Sequence, residues 1–374
     1  MNRIEFLRPS GAATWMACAG YVAMRSLYPD APDEADTEVT EDGTACHWLA
    51  AELHAGRFHA EGSLAPNGRV LTEEMFDACD EYLGHINSWP GVVPVVEQSI
   101  PGDVIFPGMS GTPDAWAYDP TTRTLYLADL KFGFRFVEVF ENWQLLCYVL
   151  MLIDLLKIDG LTDQYLSVSM TIVQPRSTHR DGPVRTWTVK ASQLRALFNQ
   201  LIHAAHMAMG PEPLCTPNPY CGDCPARHAC TALQNSGYAA VEIAYGSVPH
   251  ELPPVAVGGE LRMLKDAQKR LEARITGLEM QAEHLLTAGE VVPGWGLEPS
   301  YARERWRDGA ESQVLTLALY FNNAPLAKPR QAITPKQARK YLPEDIVASL
   351  SHRPSTGVRL TQITSNTIRK KFET

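Results

Sequence analysis

No run in this sequence is long and apolar enough to cross a bilayer. The longest, LLCYVLMLIDLLKI over 145–158, falls short of the roughly 20 residues a spanning helix needs and is broken by Asp154. It reads as a buried helix. The first residues, MNRIEFLRPSG, lack the apolar core of a signal peptide, so the expected compartment is the cytoplasm, with no membrane partner. Disulfides are scarce there, and the eight cysteines are expected to be metal ligands or core thiols. Also missing are a P-loop, a G-x-G-x-x-G after a strand, an H-E-x-x-H pair and a G-x-S-x-G elbow. Without a P-loop the chain is not expected to hydrolyse ATP, so any helicase or recombinase action would need a partner. No internal repeat and no low-complexity tract is present. A global basic balance is missing too: the net charge is -10. It is unevenly spread, however. Residues 327–374 hold ten Lys and Arg against three Asp and Glu, which leaves about -17 on the remainder. A basic tail on an acidic body can supply phosphate contacts or be a solvated surface.

The 374 residues are 45% hydrophobic, enough for a sizeable core and two or more domains. TEDGTACHWLAAELHAG reads as a helix that starts near Gly43 and Thr44 and is capped by Gly56. TEEMFDACDEYLGHINSW reads as a second helix with Thr72 as N-cap. VVPVVEQSI is a β-branched strand, a long helix covers about 139–156, and YLSVSMTIVQP is a strand stopped by Pro175. GSVPHELPPVAVGG is a Pro/Gly-rich linker. Beyond it Leu264, Leu271, Leu278 and Leu285 recur every seventh residue, one apolar stripe on a long helix.

The segment GTPDAWAYDPTTRTLYLADLKFG, 111–133, reads as a tight hairpin. If its turn centres on Thr121 and Thr122, Asp114 and Asp129 lie directly opposite one another. Like charges in that position destabilise a sheet unless a cation lies between them, and hard divalent cations prefer carboxylate oxygens. Alternation puts Lys131 on the face of Asp129. There it is suited to orient or deprotonate a water beside a metal, or else forms a weak surface salt bridge. Gln144 and Tyr148, four apart, share a helix face. Glu97 is either a further acid of the site or a solvent-facing strand residue.

GTPD followed by ADLKFG resembles the signature of the PD-(D/E)xK nucleases, RecB-like branch. EDGTACH resembles that branch's upstream motif, ending on His47, and QLLCY its Q-x-x-x-Y motif, on Gln144 and Tyr148. ENWQ and TIVQPR are similar to phage-borne members. The likeness covers about the first 235 residues and continues loosely through VVPGWGLEPSYARERWRD. It implies an α/β fold: a restriction-endonuclease-like core with a mixed central sheet, to which we add a helical arm and a small C-terminal α+β module. The expected divisions are a core over 1–240, a linker over 241–259, a long helix over 260–290 and a basic module over 291–374. The implied activity is Mg²⁺- or Mn²⁺-dependent DNA hydrolysis, as an exonuclease. The metal would be held by His47, Asp114, Asp129 and the Leu130 carbonyl, with Lys131 catalytic and Gln144 and Tyr148 contacting or supporting the DNA. The setting implied is phage DNA recombination in a bacterial host cytoplasm, beside a phage annealing or recombinase protein. Two other readings stay open: a DNA-binding recombination accessory that keeps the fold without catalysis, and a zinc-stabilised interaction module.

Cys221, Cys224 and Cys230 form C-x2-C-x5-C, with Cys215 just upstream. Local spacing alone allows a zinc site on Cys215, Cys221, Cys224 and Cys230. The resemblance implies instead an AddB-like [4Fe-4S] cluster on Cys18, Cys221, Cys224 and Cys230. Cys46, Cys79 and Cys147 fall in helical patterns and read as core thiols. His203 and His206 share a helix face without an evident third ligand.

Overall fold

The computed structural model describes residues 3–28, 38–158, 165–177, 182–244, 253–301, 305–307, 309–320, 327–328, 331–332, 335–338, 341–352 and 355–362. Two short helices, α1 (Ala12–Ala17) and α2 (Gly20–Leu27), precede α3 (Glu38–His54) and α4 (Glu73–Asn87). The short strands β1 (Val95–Val96), β2 (Ile100–Pro101) and β3 (Ser110–Gly111) lead into the hairpin of β4 (Ala115–Asp119) and β5 (Thr124–Leu130). Then come α5 (Trp143–Leu155), β6 (Ser167–Val173), β7 (Val184–Lys190), α6 (Arg195–Met209), α7 (Thr231–Ala244) and α8 (Pro254–Thr287).

The central sheet is mixed, in the order β1-β4-β5-β6-β7. Only β5 and β6 run parallel; the other neighbours are antiparallel. The α5 helix makes the crossover that a parallel pair requires. Its residues from Leu145 to Ile153 are all buried, as expected for the apolar run. Among the described residues no helix is long and apolar enough to cross a membrane. Leu125 and Leu127 of β5 pack on the side of α5 and α6. Ala128 and Leu130 pack on the other side, with Cys46 and Leu49 of α3 and Met75 and Cys79 of α4. The sheet is therefore covered on both faces.

The hairpin has the register read from its turn: Ala115 pairs with Ala128 and Asp119 with Thr124. Asp119 fixes the turn by accepting from Thr121 N at 2.8 Å and from the Thr122 hydroxyl at 2.6 Å. Thr72 caps α4 as expected, accepting from Met75 N. Several expectations need correction. The α3 helix starts at Glu38, not near Gly43, because Glu38 and Glu41 complement its N-terminal dipole and the helix absorbs the glycine. VVPVVEQSI is not one strand: Glu97 takes φ +50° and separates β1 from β2. The expected linker 241–259 is encroached on from both ends, by α7 to Ala244 and by α8 from Pro254, a residue suited to a helix's first turn. Its middle, 245–252, lies outside the described residues. On α8, Leu264 and Ile275 are exposed, whereas Ala273 is buried. A Cβ at Gly277 would lie 2.9 Å from the His228 Cα. At Ala273 and Gly277 the helix packs through small residues, because a backbone segment approaches too closely for larger side chains, while Leu271 of the stripe lies beside Gly237 of α7.

The chain divides into two compact units, Met1–Gly277 and Leu278–Thr374. In the second, β8 (Trp295–Tyr301), β9 (Arg305–Trp306), α9 (Ala310–Tyr320), β10 (Ala327–Lys328), β11 (Gln331–Ala332), α10 (Pro335–Ala338), α11 (Glu344–Leu350), β12 (Ser351–His352) and β13 (Ser355–Gln362) follow in turn. A small core of Trp306, Val314, Leu342 and Val347 holds it together. The cationic side chains of 327–374 lie outside the described ones, and with them the expected phosphate-binding tail.

Candidate metal centre

The end of β5 collects the ionisable groups. Asp129 is only 1% exposed and Asp114 9%. Lys131 Nζ lies 2.9 Å from Asp129 Oδ2. Gln144, in the first turn of α5, bridges the two: its Nε2 donates to Asp129 Oδ1 at 2.9 Å, and its Oε1 accepts from Lys131 Nζ at 3.2 Å. One turn on, the Tyr148 hydroxyl donates to the Thr112 carbonyl at 2.9 Å. Both side chains of the Q-x-x-x-Y pair thus brace the strand ends. Asn142 caps α5 through the N–H groups of Gln144 and Leu145, fixing where that pair points. Gly111 is a glycine by necessity, since a Cβ there would meet Pro9 and come within 3.0 Å of the Tyr148 ring.

Asp114 Oδ2 accepts from Leu130 N at 2.7 Å and lies 3.4 Å from His47 Nδ1 on α3. His47 Nδ1 is in turn 3.7 Å from Glu97 Oε1. Ligand atoms of His47, Glu97 and Asp114 all lie within 4.8 Å of one another, a donor set that fits a divalent metal. Of the expected ligands, His47 and Asp114 are in this trio. Asp129 is engaged by Lys131 and Gln144 and does not join this trio, whereas Glu97 does. The signal for Glu97 was present as a carboxylate directly after Val95 and Val96. Its left-handed backbone, with φ +50°, was not. Leu130 lines the same groove. Its walls come from the N-terminal segment, with Arg8 and Ser10, and from the α3 face carrying Thr40 and Thr44. Neither wall was anticipated from the sequence.

Electrostatics follow from burial and crowding. Burial pushes Asp129 up to about 6, with Asp114 adding to the rise and Lys131 opposing it. Asp114 is buried too, yet the positive charge of His47 and of Lys131 and the Leu130 N–H hold it below the usual carboxylate range. Burial works against the charge of His47, but Asp114 and Glu97 outweigh it and raise His47 well above its ordinary value. Lys131 is raised in the same way, Asp129 and Asp114 outweighing burial.

A metal-dependent stability follows. Raised groups such as His47 and Asp129 stabilise the fold fully below their unfolded values. They lose that contribution as pH rises through the folded values, about 6 for Asp129. A divalent cation replaces the lost proton on His47 and offsets the carboxylates. At pH 8 and a concentration 100-fold above its Kd, Mn²⁺ should raise the unfolding midpoint by roughly 5 °C. At pH 5 the shift should vanish, because His47 and Asp129 hold their protons. Thermal melts of wild type and His47→Ala check this; an equal shift at both pH values would contradict it.

A second group of side chains gathers thiols. Cys18, Cys215, Cys221, Cys224 and Cys230 line one pocket. Cys18 follows α1, and the last three lie on the 3₁₀ turns Pro219–Asp223 and Pro225–Ala229 or at their ends. Gly20 N donates to the Leu214 carbonyl at 2.9 Å, and a Cβ at Gly20 would lie 2.9 Å from the Cys215 Cα. Only glycine lets the two strips of chain meet. The N–H of Thr216 points at Cys18 Sγ and that of Asn218 at Cys221 Sγ, each at 3.3 Å. Cys18 is pulled down to about 6, chiefly by the Cys215 thiol and then by the N–H groups of Thr216 and Gly20. Cys230 is drawn to about 6, again by Cys215 first. Burial drives Cys224 up to about 12. Cys46 and Cys79, with sulfurs 4.0 Å apart, and Cys147 are buried, as expected of core thiols.

A solved structure from Eubacterium rectale, described as "Putative exonuclease", shares 10% identity over 67% of this chain and 91% of its own, with a TM-score of 0.33. That likeness is too weak to define fold or chemistry. A family model matches residues 5–355, nearly the whole chain, including both the carboxylate–histidine centre and the thiol pocket. By that match, the chain belongs to the family described as Protein of unknown function (DUF2800).

Proposed function

We propose that this chain is a metal-dependent DNA nuclease of the PD-(D/E)xK superfamily, RecB-like branch, acting as an exonuclease. One observation carries the reading: His47, Glu97 and Asp114 converge within 4.8 Å beside the Lys131–Asp129 pair, in one groove. Two carboxylates and an imidazole alone are common on protein surfaces; here they adjoin a half-buried lysine paired with a buried aspartate. Mg²⁺ or Mn²⁺ on these residues, with the Leu130 carbonyl, would polarise a phosphate oxygen and acidify a bound water. Lys131, held by Asp129 and Gln144, presents its ammonium to the attacking oxygen and to charge developing on the phosphate. Asp114, fixed by the Leu130 N–H, keeps its charge at neutral pH. Tyr148 holds the Thr112 carbonyl, and with it the groove floor. Action in phage DNA recombination, beside an annealing or recombinase protein, rests on the ENWQ and TIVQPR likeness.

The thiol pocket fits a resident group, with more soft donors than a tetrahedral site needs and N–H groups aimed at two sulfurs. We assign Cys18, Cys221, Cys224 and Cys230 to a [4Fe-4S] cluster. Cys215 contacts the thiols of both Cys18 and Cys230, which keeps Zn²⁺ on Cys215, Cys221, Cys224 and Cys230 as the second reading. Incubating anaerobically purified protein with end-labelled linear and closed circular DNA tests the activity. Mn²⁺-dependent degradation of the linear form, with the circle intact, is expected. Cutting of the circle would make it an endonuclease. No cleavage with any divalent metal would favour the non-catalytic accessory.

A further inference from the structure

The segment after Lys131 carries phenylalanines that the metal chemistry does not use. Phe132 is 2% exposed and lines the groove, whereas Phe134 is 64% exposed. Arg176 joins the two, its guanidinium 3.7 Å from the Phe132 ring centre and 4.7 Å from that of Phe134. Glu74 grips Arg176 with two hydrogen bonds of 2.8 and 2.7 Å, and Arg176 also donates to the Phe132 carbonyl at 3.2 Å. The backbone beneath is pinned as well. Gln174, fully buried, donates to the carbonyls of Gly133 at 2.9 Å and Arg135 at 2.8 Å, and accepts from Val137 N at 3.2 Å.

A single exposed phenylalanine is ordinary. This one is set apart by its support: a buried glutamine and a clamped arginine whose guanidinium lies against both the groove-lining Phe132 ring and the Phe134 ring. Such bracing removes most of the ordering cost of binding in advance. The face it offers suits another flat π-surface. In a duplex the base faces are already covered by their neighbours, so only an unpaired base can use it. Lys131 and the carboxylate–histidine centre, one ring inward, suit the phosphate attached to such a base.

We propose that Phe134 is a stacking platform for an unpaired nucleic-acid strand entering the groove, so that this site binds single-stranded DNA in preference to duplex. The chemistry rests on the nuclease reading; the binding does not. The test is fluorescence anisotropy of a labelled oligothymidine and a labelled duplex, with EDTA present to prevent cleavage. Phe134→Ala should weaken oligothymidine binding by about 5- to 100-fold, the loss expected for one base–aromatic stack. Duplex affinity should stay unchanged, and Phe134→Trp should restore single-strand affinity. Equal weakening on both DNAs, no weakening, or no binding of single strands by wild type overturns the proposal. If single strands bind through Phe134 but no DNA is ever cut, the nuclease reading fails and this one stands. If DNA is cut and Phe134→Ala leaves strand preference untouched, the reverse holds.

Discussion

Lys131→Ala should lower DNA cleavage by on the order of 10²- to 10⁴-fold while DNA remains bound. The lysine pairs with Asp129 at 2.9 Å and also touches Gln144 at 3.2 Å. Its removal takes away the ammonium beside the reacting phosphate. It also leaves Asp129 buried without its partner, which favours the neutral acid and further weakens the site. Lys131→Arg should not rescue, because a planar fork cannot meet Asp129 and Gln144 in the geometry a compact ammonium uses. Single-turnover cleavage, anisotropy for binding and a thermal melt for folding separate the effects. A folded Lys131→Ala protein that cuts within a few-fold of wild type would remove Lys131 from the chemistry.

The second large effect concerns the thiols. Cys18→Ser should abolish absorbance at about 400 nm and bound iron. It should also lower the unfolding midpoint by on the order of 10 °C, since the proposed cluster would join Cys18 to the later cysteines, close a loop of about 200 residues and restrain the unfolded chain by about 5 kcal/mol. Cys215→Ser should keep colour, iron and midpoint close to wild type. The opposite pattern, with zinc lost from Cys215→Ser and retained by Cys18→Ser, would assign the pocket to Zn²⁺. Metal analysis of the two proteins after anaerobic purification decides between them.

Much of the centre was legible in the sequence because its geometry is local. The hairpin turn is fixed by Asp119 and its threonines, so the opposition of Asp114 and Asp129 follows from counting. Gln144 and Tyr148 share a face because a helix repeats as it does. What escaped was set by distant packing. Glu97 enters the centre only because its backbone takes a strained conformation against Asp114, and no pattern in VVPVVEQSI announces that. The meeting of Gly20 with Cys215 depends on the folding of everything between them. The leucine stripe of α8 gave only part of its packing: Leu271 lies beside α7, but Ala273 and Gly277 are buried by a close backbone, and hydrophobic periodicity cannot register a contact made by an absent side chain.

The N-terminal strip that supplies Arg8, Pro9 and Ser10 to the groove runs on into α1 and ends at Cys18. A cluster held by those thiols, as proposed, would act as a buckle on a strap that forms one bank of the channel. On that reading, oxidative loss of the cluster would slacken the bank while the carboxylates on the floor kept their places, so air would erode binding of a polymer before binding of an ion.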